Sequence, residues 1–206
     1  MVYDLVKECI ANLRRNGFCV QFVQDVKDAK NLILDMALKY KTFGIGGSNT
    51  IRLLNIVEEL KKNGKIVYDH WFHGLTKDQD LEIRLAQGRC DCFLCSANAI
   101  SASGEIINID GIGNRVSATI FGPKEVIIVI GKNKITPDLT SALKRAKEIA
   151  APLRAKSLGI DTPCVKTGKC NNCNSPARIC RITVILHKRP LFTPISVIIV
   201  DKELGY

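Results

Sequence analysis

Short apolar segments alternate with amphipathic segments along most of this chain. The apolar segments are rich in β-branched residues and end at turn-forming residues, and the plainest of them is Glu125–Ile130. The segments between them repeat apolar residues with the period of a helix that packs one face on a sheet. This alternation predicts an open, mostly parallel, Rossmann-like α/β sheet with helices on both faces.

The length of the chain, 206 residues, predicts one domain. Residues 1–206 show no internal repeat and no interdomain linker, so we expect a single α/β unit that carries a Cys-rich segment at 164–180 near its end. No apolar run approaches the roughly 18 residues that would span a bilayer. The start of the chain has no basic segment followed by an apolar one, so no signal peptide is expected. These features predict a cytoplasmic protein without a membrane span.

A formal net charge of +10 raises the hypothesis of a nucleic-acid partner. Much of the excess lies between Asp161 and Asp201, where there is no acidic residue and Phe192 is the one aromatic residue. Such a stretch offers little surface for stacking bases. Basic residues beside cysteines also have a local role, because they offset the charge of thiolates. The hypothesis of a zinc-containing nucleic-acid-binding module therefore rests on charge alone.

The first candidate site is a glycine-rich loop between a predicted strand and a predicted helix. Glycines allow a tight turn and a close approach of the backbone to a ligand, while free N–H groups at a helix start favour an anion. The hydroxyl groups of Ser48 and Thr50 add donors. A tight turn with a capping serine would explain the same pattern. The candidate ligand-binding residues are Gly46, Gly47, Ser48, Asn49 and Thr50.

The second candidate is a polar, turn-rich stretch from Ser96 to Arg115, which follows an apolar strand. The ends of such strands are where open α/β sheets bind ligands. A carboxylate beside a guanidinium suits proton transfer or the recognition of an anion, which makes Asp110 a candidate catalytic base. A turn network that satisfies backbone groups is the alternative. The candidates are Asn98, Asp110, Gly113, Asn114 and Arg115, with Lys134 expected at the rim of the same pocket.

Four cysteines near the end of the chain, Cys164, Cys170, Cys173 and Cys180, have the spacing C-x5-C-x2-C-x6-C. Two thiolates two residues apart can bind one metal from a single turn, as in zinc sites and iron–sulfur centres. Neighbouring Gly, Pro and Asn residues keep the segment out of regular structure. Spacing alone does not separate an iron–sulfur cluster from a structural zinc, and four unrelated loop cysteines remain the alternative.

Two further groups of metal-binding residue types have simpler explanations. Cys92 and Cys95 lie in a predicted strand and would point to opposite faces, so we expect buried, unreactive thiols. His70 and His73 flank a Trp-Phe pair after a strand end, where a ligand could sit. A solvated pair of loop residues is the simpler interpretation, and His73 is the stronger functional candidate of the two.

Several motifs in one order resemble the LUD-domain family of lactate-utilisation proteins over nearly the whole chain. They are Gly46-Gly47-Ser48-Asn49-Thr50, Ser96-Ala97-Asn98-Ala99-Ile100, Gly104-Glu105, Asn108-Ile109-Asp110-Gly111-Ile112-Gly113-Asn114-Arg115-Val116 and Gly131-Lys132-Asn133-Lys134-Ile135. The resemblance implies a fold similar to ribose-5-phosphate isomerases, glucosamine-phosphate isomerases and CoA transferases. Those proteins place a sugar phosphate or an acyl-CoA on the corresponding loop.

The resemblance also implies a role in oxidation of lactate or a similar 2-hydroxy acid. Lactate-utilisation systems contain iron–sulfur proteins, which favours an iron–sulfur cluster over zinc and iron–sulfur oxidoreductase subunits as partners. The expected ligand is a small anion, a carboxylate or a phosphate, and a homo-oligomer is a further expectation. An enzyme acting on a sugar phosphate or acyl-CoA is the alternative. The segment from Asn98 to Arg115 also resembles a signature of methylthioribose-phosphate isomerases. Asn98 stands where that signature has an aspartate, and its lysine and threonine are not matched, so isomerase catalysis is not carried over.

Overall fold

Two β-sheets organise the chain in this computed structural model, which describes residues 2–72 and 74–206. Within those residues the strands are β1 Cys19–Val23, β2 Thr42–Ile45, β3 Ile66–Asp69, β4 Cys92–Cys95, β5 Ala99–Ser101, β6 Ile106–Asp110, β7 Glu125–Gly131, β8 Ile135–Thr136, β9 Ile182–Leu186 and β10 Ile195–Val200. The helices are α1 Val2–Arg15, α2 Val26–Ala37, α3 Asn49–Leu53, α4 Ile56–Lys62, α5 Lys77–Gln87, α6 Asn114–Ile120, α7 Leu139–Arg145, α8 Ala151–Ser157 and α9 Pro163–Thr167.

The larger sheet has the strand order β1-β10-β7-β4-β2-β3, and every neighbouring pair is parallel. All six residues of β10 are buried, as are six of the seven in β7. Their β-branched sequences suit strands that helices cover on both faces. The predicted α/β class and the parallel sheet are therefore confirmed.

Separate apolar clusters cover the two faces of this sheet. One face packs against α1 through Val6, Cys9 and Leu13, and the other packs against α2, α3 and α4. Cys95 belongs to the first cluster and Cys92 to the second. Because successive strand residues point to opposite faces, residues three apart also do, and the predicted burial of both thiols is confirmed.

A smaller mixed sheet, with the order β8-β5-β6-β9, lies beside the larger one. The sequence predicts a turn-rich stretch between the end of β4 and Arg115 and gives no strand there, whereas β5 and β6 form an antiparallel pair in the structure. The polar residues of this stretch suggested loops, but Asn108 and Asp110 are buried strand residues. Their burial depends on contacts that are distant in sequence.

Two helices differ from what their sequence patterns predict. The pattern of Asn49–Lys62 predicts one helix, but the segment breaks into α3 and α4 at Asn55, which has a left-handed φ of 49°. The pattern that follows Pro137-Asp138 predicts a helix ending near Ala150, but α7 continues through a π-helical turn, Ala146–Ala150, into α8. Across the described part of the chain, no helix combines the length and apolar character that crossing a membrane requires.

Candidate functional site

A cavity of about 350 Å³ opens at the edge of the larger sheet where its parallel strands end. The residues that follow β2, β3, β4 and β7 all contribute to its wall, as the geometry of open α/β sheets favours. The turn after β6 in the smaller sheet completes it. The sequence-predicted residues that line it are Gly47, Ser48, Asn49, Thr50, Asn98, Asp110, Asn114, Arg115 and Lys134.

The glycine loop contributes its later residues to this wall. A side chain at Gly46 would meet the Cβ of Cys95 at 3.0 Å, so Gly46 packs against β4 and does not line the cavity. A side chain at Gly47 would lie 3.3 Å from Trp71 Nε1 and 3.4 Å from His70 Nε2. Ser48 Oγ accepts a hydrogen bond from the backbone N of Ile51 and so caps α3. The loop therefore lets two ring nitrogens come close to the backbone.

Lys134 follows β7 and is only 3% exposed, so it lies in the wall of the cavity rather than at the predicted rim. Its Nζ donates to Ser96 Oγ at 2.9 Å, Thr50 Oγ1 at 3.1 Å and the carbonyl oxygen of Ala97 at 3.1 Å. All three acceptors are neutral, and no ion pair of Lys134 occurs among the described residues.

Burial, together with the charges of Arg145 and Arg115, lowers the pKa of Lys134 to about 7. The physical cause is that the ammonium loses water without gaining a carboxylate in exchange. Near neutral pH, Lys134 can therefore present either an ammonium or a free amine to the cavity.

Arg115 joins the two sheets through its guanidinium. Its two terminal nitrogens donate to the carbonyl oxygens of Ser96 and Ile109 and to the side-chain oxygens of Asn98 and Asn108. Those nitrogens carry four N–H groups, and protein atoms accept all four. Arg115 thus contributes its charge to the cavity, while its donors hold the wall together.

Asp110 sits at the end of β6 and has both carboxylate oxygens engaged. Oδ1 accepts from the backbone N of Ile112 and of Gly113, each at 3.0 Å, and Oδ2 lies 3.4 Å from Arg115 Nε. Gly113 has a φ of 105° and directly precedes α6, and it does not line the cavity. This geometry suits a residue that orients Arg115 and the turn.

His70 directly follows β3 and lines the cavity, although the sequence favoured His73, which lies outside the described residues. Its Nδ1 lies 2.9 Å from Gln87 Nε2, which also donates to the carbonyl oxygens of Ile45 and Tyr68. Because carbonyl oxygens only accept, Gln87 presents its NH2 group here, with two N–H groups shared among three neighbours. An amide nitrogen does not accept, so a proton on Nδ1 would have no acceptor in Gln87. The ring proton therefore sits on Nε2, which faces Gly47.

His70 is neutral at physiological pH. Burial and the charge of Arg84 lower its pKa to about 4. The hydrogen-bond chain continues from Gln87 Oε1 to Asn114 Nδ2 at 3.0 Å, and from Asn114 Oδ1 to Arg84 Nη1 at 3.1 Å. This chain holds His70 as a neutral donor to the cavity.

Two guanidinium groups lie against the ring of Trp71, which also lines the cavity. The Cζ atoms of Arg52 and Arg154 are 4.5 and 4.8 Å from the ring centroid, within cation–π range. Arg52 is held by Asp69, to which it donates through both terminal nitrogens. Sequence reasoning missed Trp71, Arg84 and Arg154, although Trp71 does lie just beyond a strand end.

The four clustered cysteines lie apart from this cavity but close to it. All of them are unpaired and partly buried, and together they line a second, smaller cavity. Ala151 and Ile179 line both cavities. In the described residues no three His, Cys, Asp or Glu side chains are grouped so that they could hold a single metal ion.

A comparison with protein families identifies the chain. The LUD-domain model matches residues 6–200. The chain belongs to the LUD-domain family. Membership supports a lactate-utilisation-associated role at the level of the family.

A comparison with solved structures gives a crystal structure of a DUF162-family protein from Deinococcus radiodurans, with a TM-score of 0.55 and 12% identity. The alignment covers 98% of this chain and 99% of that one. At this identity the likeness establishes a shared fold. A comparison with curated proteins gives no match.

Proposed function

We propose that this LUD-domain protein binds a small carboxylate anion in the cavity at the sheet edge, in the service of lactate or 2-hydroxy-acid oxidation. Charge is the observation that carries the proposal. Four cationic side chains, Arg84, Arg115, Lys134 and Arg154, line the cavity, whereas Asp110 is the one carboxylate side chain among its described lining residues. Because Arg115 is paired with Asp110 and Arg84 with Asp80, Lys134 and Arg154 supply the excess positive charge of the wall.

The buried amine of Lys134 makes an anion the favoured occupant. An ammonium with only neutral acceptors is costly to bury, and a carboxylate in the cavity would supply the missing opposite charge. Binding of an anion should therefore raise the pKa of Lys134 and take up a proton near pH 7. Backbone groups of the glycine loop and Nε2–H of His70 would add neutral donors.

The same groups suit proton transfer, for which Lys134 is the titratable candidate with a pKa near neutral pH. A group whose pKa lies near 7 can both give and accept a proton at neutral pH. Asp110, the residue predicted from sequence as a base, has both oxygens occupied and would position Arg115 instead. At the family level, iron–sulfur oxidoreductase subunits remain the partners that we propose for such a protein.

Calorimetric titration with pyruvate, L-lactate, inorganic phosphate and ribose 5-phosphate tests this proposal. Pyruvate or lactate should bind with proton uptake at pH 7.5, seen as a dependence of the measured heat on the buffer. Lys134→Met should weaken that binding at least about tenfold, which corresponds to about 1.4 kcal/mol. Lys124→Ala removes an exposed lysine outside the cavity and serves as the matched control.

Two outcomes would count against the proposal. Equal carboxylate binding by the wild type and Lys134→Met would remove Lys134 from the site. Selective binding of ribose 5-phosphate, with no detectable binding of either carboxylate, would support the sugar-phosphate alternative instead.

A further inference from the structure

The segment that carries the four clustered cysteines has no core of its own. None of residues 163–181 is buried, and residues 168–181 form no helix or strand. A chain without buried apolar side chains gains little from the hydrophobic effect to offset the entropy of ordering. Something other than apolar packing must therefore hold this segment in one conformation.

The segment nevertheless brings its four cysteines to the lining of one small cavity. Cys164 lies in α9, the other three lie in the loop after it, and all four line a single small cavity. Arg178 fixes part of this arrangement, since it donates to the carbonyl oxygens of Cys173 at 2.7 Å and of Cys180 at 2.8 Å. Four cysteines on the wall of one cavity are the donor set that thiolate-bound metal centres use.

The charged side chains that line the small cavity are cationic. Lys147 and Arg178 line it, and no carboxylate does so among the described residues. These two cations would offset the negative charge of a metal–thiolate centre. A thiolate-bound metal would also supply the cross-link that the segment lacks, because binding energy at such a site acts as folding energy.

The arrangement of the thiols in space, unlike their spacing along the chain, separates two kinds of metal centre. One zinc ion needs its four ligands to converge on one point, and among the described residues no three His, Cys, Asp or Glu side chains are grouped to hold a metal ion. In a [4Fe–4S] cluster each cysteine binds a different iron, so four thiolates surround the centre without converging. We propose that Cys164, Cys170, Cys173 and Cys180 hold an iron–sulfur cluster beside the ligand cavity.

The proposed cluster shares a wall with that cavity. Ile179, next to Cys180, lines both cavities, and the backbone N of Arg181 donates to the carbonyl oxygen of Asp110 at 3.0 Å. A side chain at Gly111 would meet the carbonyl oxygen of Ile179 at 2.9 Å, so the two segments are in close contact. Loading the cluster should therefore order one wall of the ligand cavity. This second part rests on the proposed function, whereas the cluster itself does not.

Metal analysis of the protein tests the cluster directly. We expect about four irons and four acid-labile sulfides per chain after anaerobic reconstitution with iron and sulfide, with broad visible absorbance that dithionite bleaches. Cys173→Ser and Cys170→Ser should each lower the iron content at least about tenfold. Cys19→Ser changes an exposed cysteine of β1 and should leave the cluster intact. Far-ultraviolet circular dichroism checks that each variant keeps its fold.

Three results would overturn the cluster. They are the absence of any bound metal, one stoichiometric zinc with no iron or sulfide, and wild-type iron content in both Cys173→Ser and Cys170→Ser. Titration of the loaded and metal-free proteins with pyruvate then tests the shared wall, since loading should tighten binding at least about threefold. Equal affinity for pyruvate in the two forms would refute only the effect of cluster loading on ligand binding. No pyruvate binding in either form would count against the proposed function, while the iron content would still decide the cluster.

Discussion

Lys134 Nζ lies 2.9 Å from Ser96 Oγ and thereby joins the ends of β7 and β4, two neighbouring strands of the larger sheet. This contact places a buried amine among neutral oxygens, at the point where parallel strands direct ligands. The pKa of Lys134 and the charge of the cavity both follow from that position.

The Lys134 amine should make stability depend on pH in the alkaline range. In the unfolded chain it stays protonated to about pH 10.5, whereas burial lowers its pKa to about 7 in the folded protein. Between those values the unfolded state binds more protons, so this group's contribution to the free energy of unfolding rises with pH. In urea unfolding, the free energy of unfolding of Lys134→Met should exceed that of the wild type most near pH 6.5, and this gap between the two proteins should be smaller at pH 9. A gap that does not change with pH would mean that Lys134 keeps an ordinary pKa.

Replacing Arg115 by lysine should be nearly as harmful as replacing it by alanine. One ammonium cannot reach the four acceptors that the guanidinium joins, so the ends of β4 and β6 would lose their link. We expect each variant to lose about 3 kcal/mol in the free energy of unfolding. Arg15→Lys, at an exposed helix position, is the control. Wild-type stability of Arg115→Lys in urea would show that charge alone is sufficient.

Asp110→Asn separates positioning from base catalysis. The amide oxygen can still accept from the N–H groups of Ile112 and Gly113, but the amide nitrogen would face Arg115 Nε, which is also a donor. We expect lower stability and weaker pyruvate binding, both measurable with the titrations above. Unchanged binding with a loss of turnover would instead identify Asp110 as a base.

His70 should remain neutral as pH falls towards 5. Its pKa is about 4 in the folded protein against 6.5 in the unfolded chain, so the unfolded state binds more protons between these values. The contribution of neutral His70 to the free energy of unfolding is therefore lost as pH falls from 6.5 to 4. Nitrogen-15 spectra at pH 6 should show a neutral ring protonated on Nε2. His70→Gln should reduce the acid sensitivity of unfolding, and a ring that titrates near pH 6.5 would contradict the hydrogen-bond assignment.

Cys92 and Cys95 should resist alkylation in the folded protein. Burial raises the pKa of Cys95 to about 12 and holds that of Cys92 well above its ordinary value, so neither forms a thiolate at pH 8. Mass spectrometry after brief iodoacetamide treatment should find Cys19 labelled and both core thiols unmodified. Rapid labelling of either core thiol without unfolding would mean that the strand opens locally.

Local sequence patterns predicted the larger sheet well because its strands carry their own signal. Glu125–Ile130 is a continuous β-branched run, and such a run favours a strand with both faces covered whatever its neighbours are. The break at Asn55 was missed because a left-handed residue inside a helical pattern leaves no periodic signal. The strands β5 and β6 were missed because their polar residues resemble turn residues.

The sequence by itself determined the α/β class, the glycine loop, the core cysteines and the candidates that follow strand ends. Only the tertiary structure decided what those candidates contact. Arg115 faces acceptors from both sheets, Lys134 is buried without a carboxylate, and His70 and Trp71 both meet the glycine loop. These hydrogen bonds and desolvated charges depend on groups that are far apart along the chain. The periodicity of apolar residues reports only on residues that are close in sequence, so it could not predict these contacts.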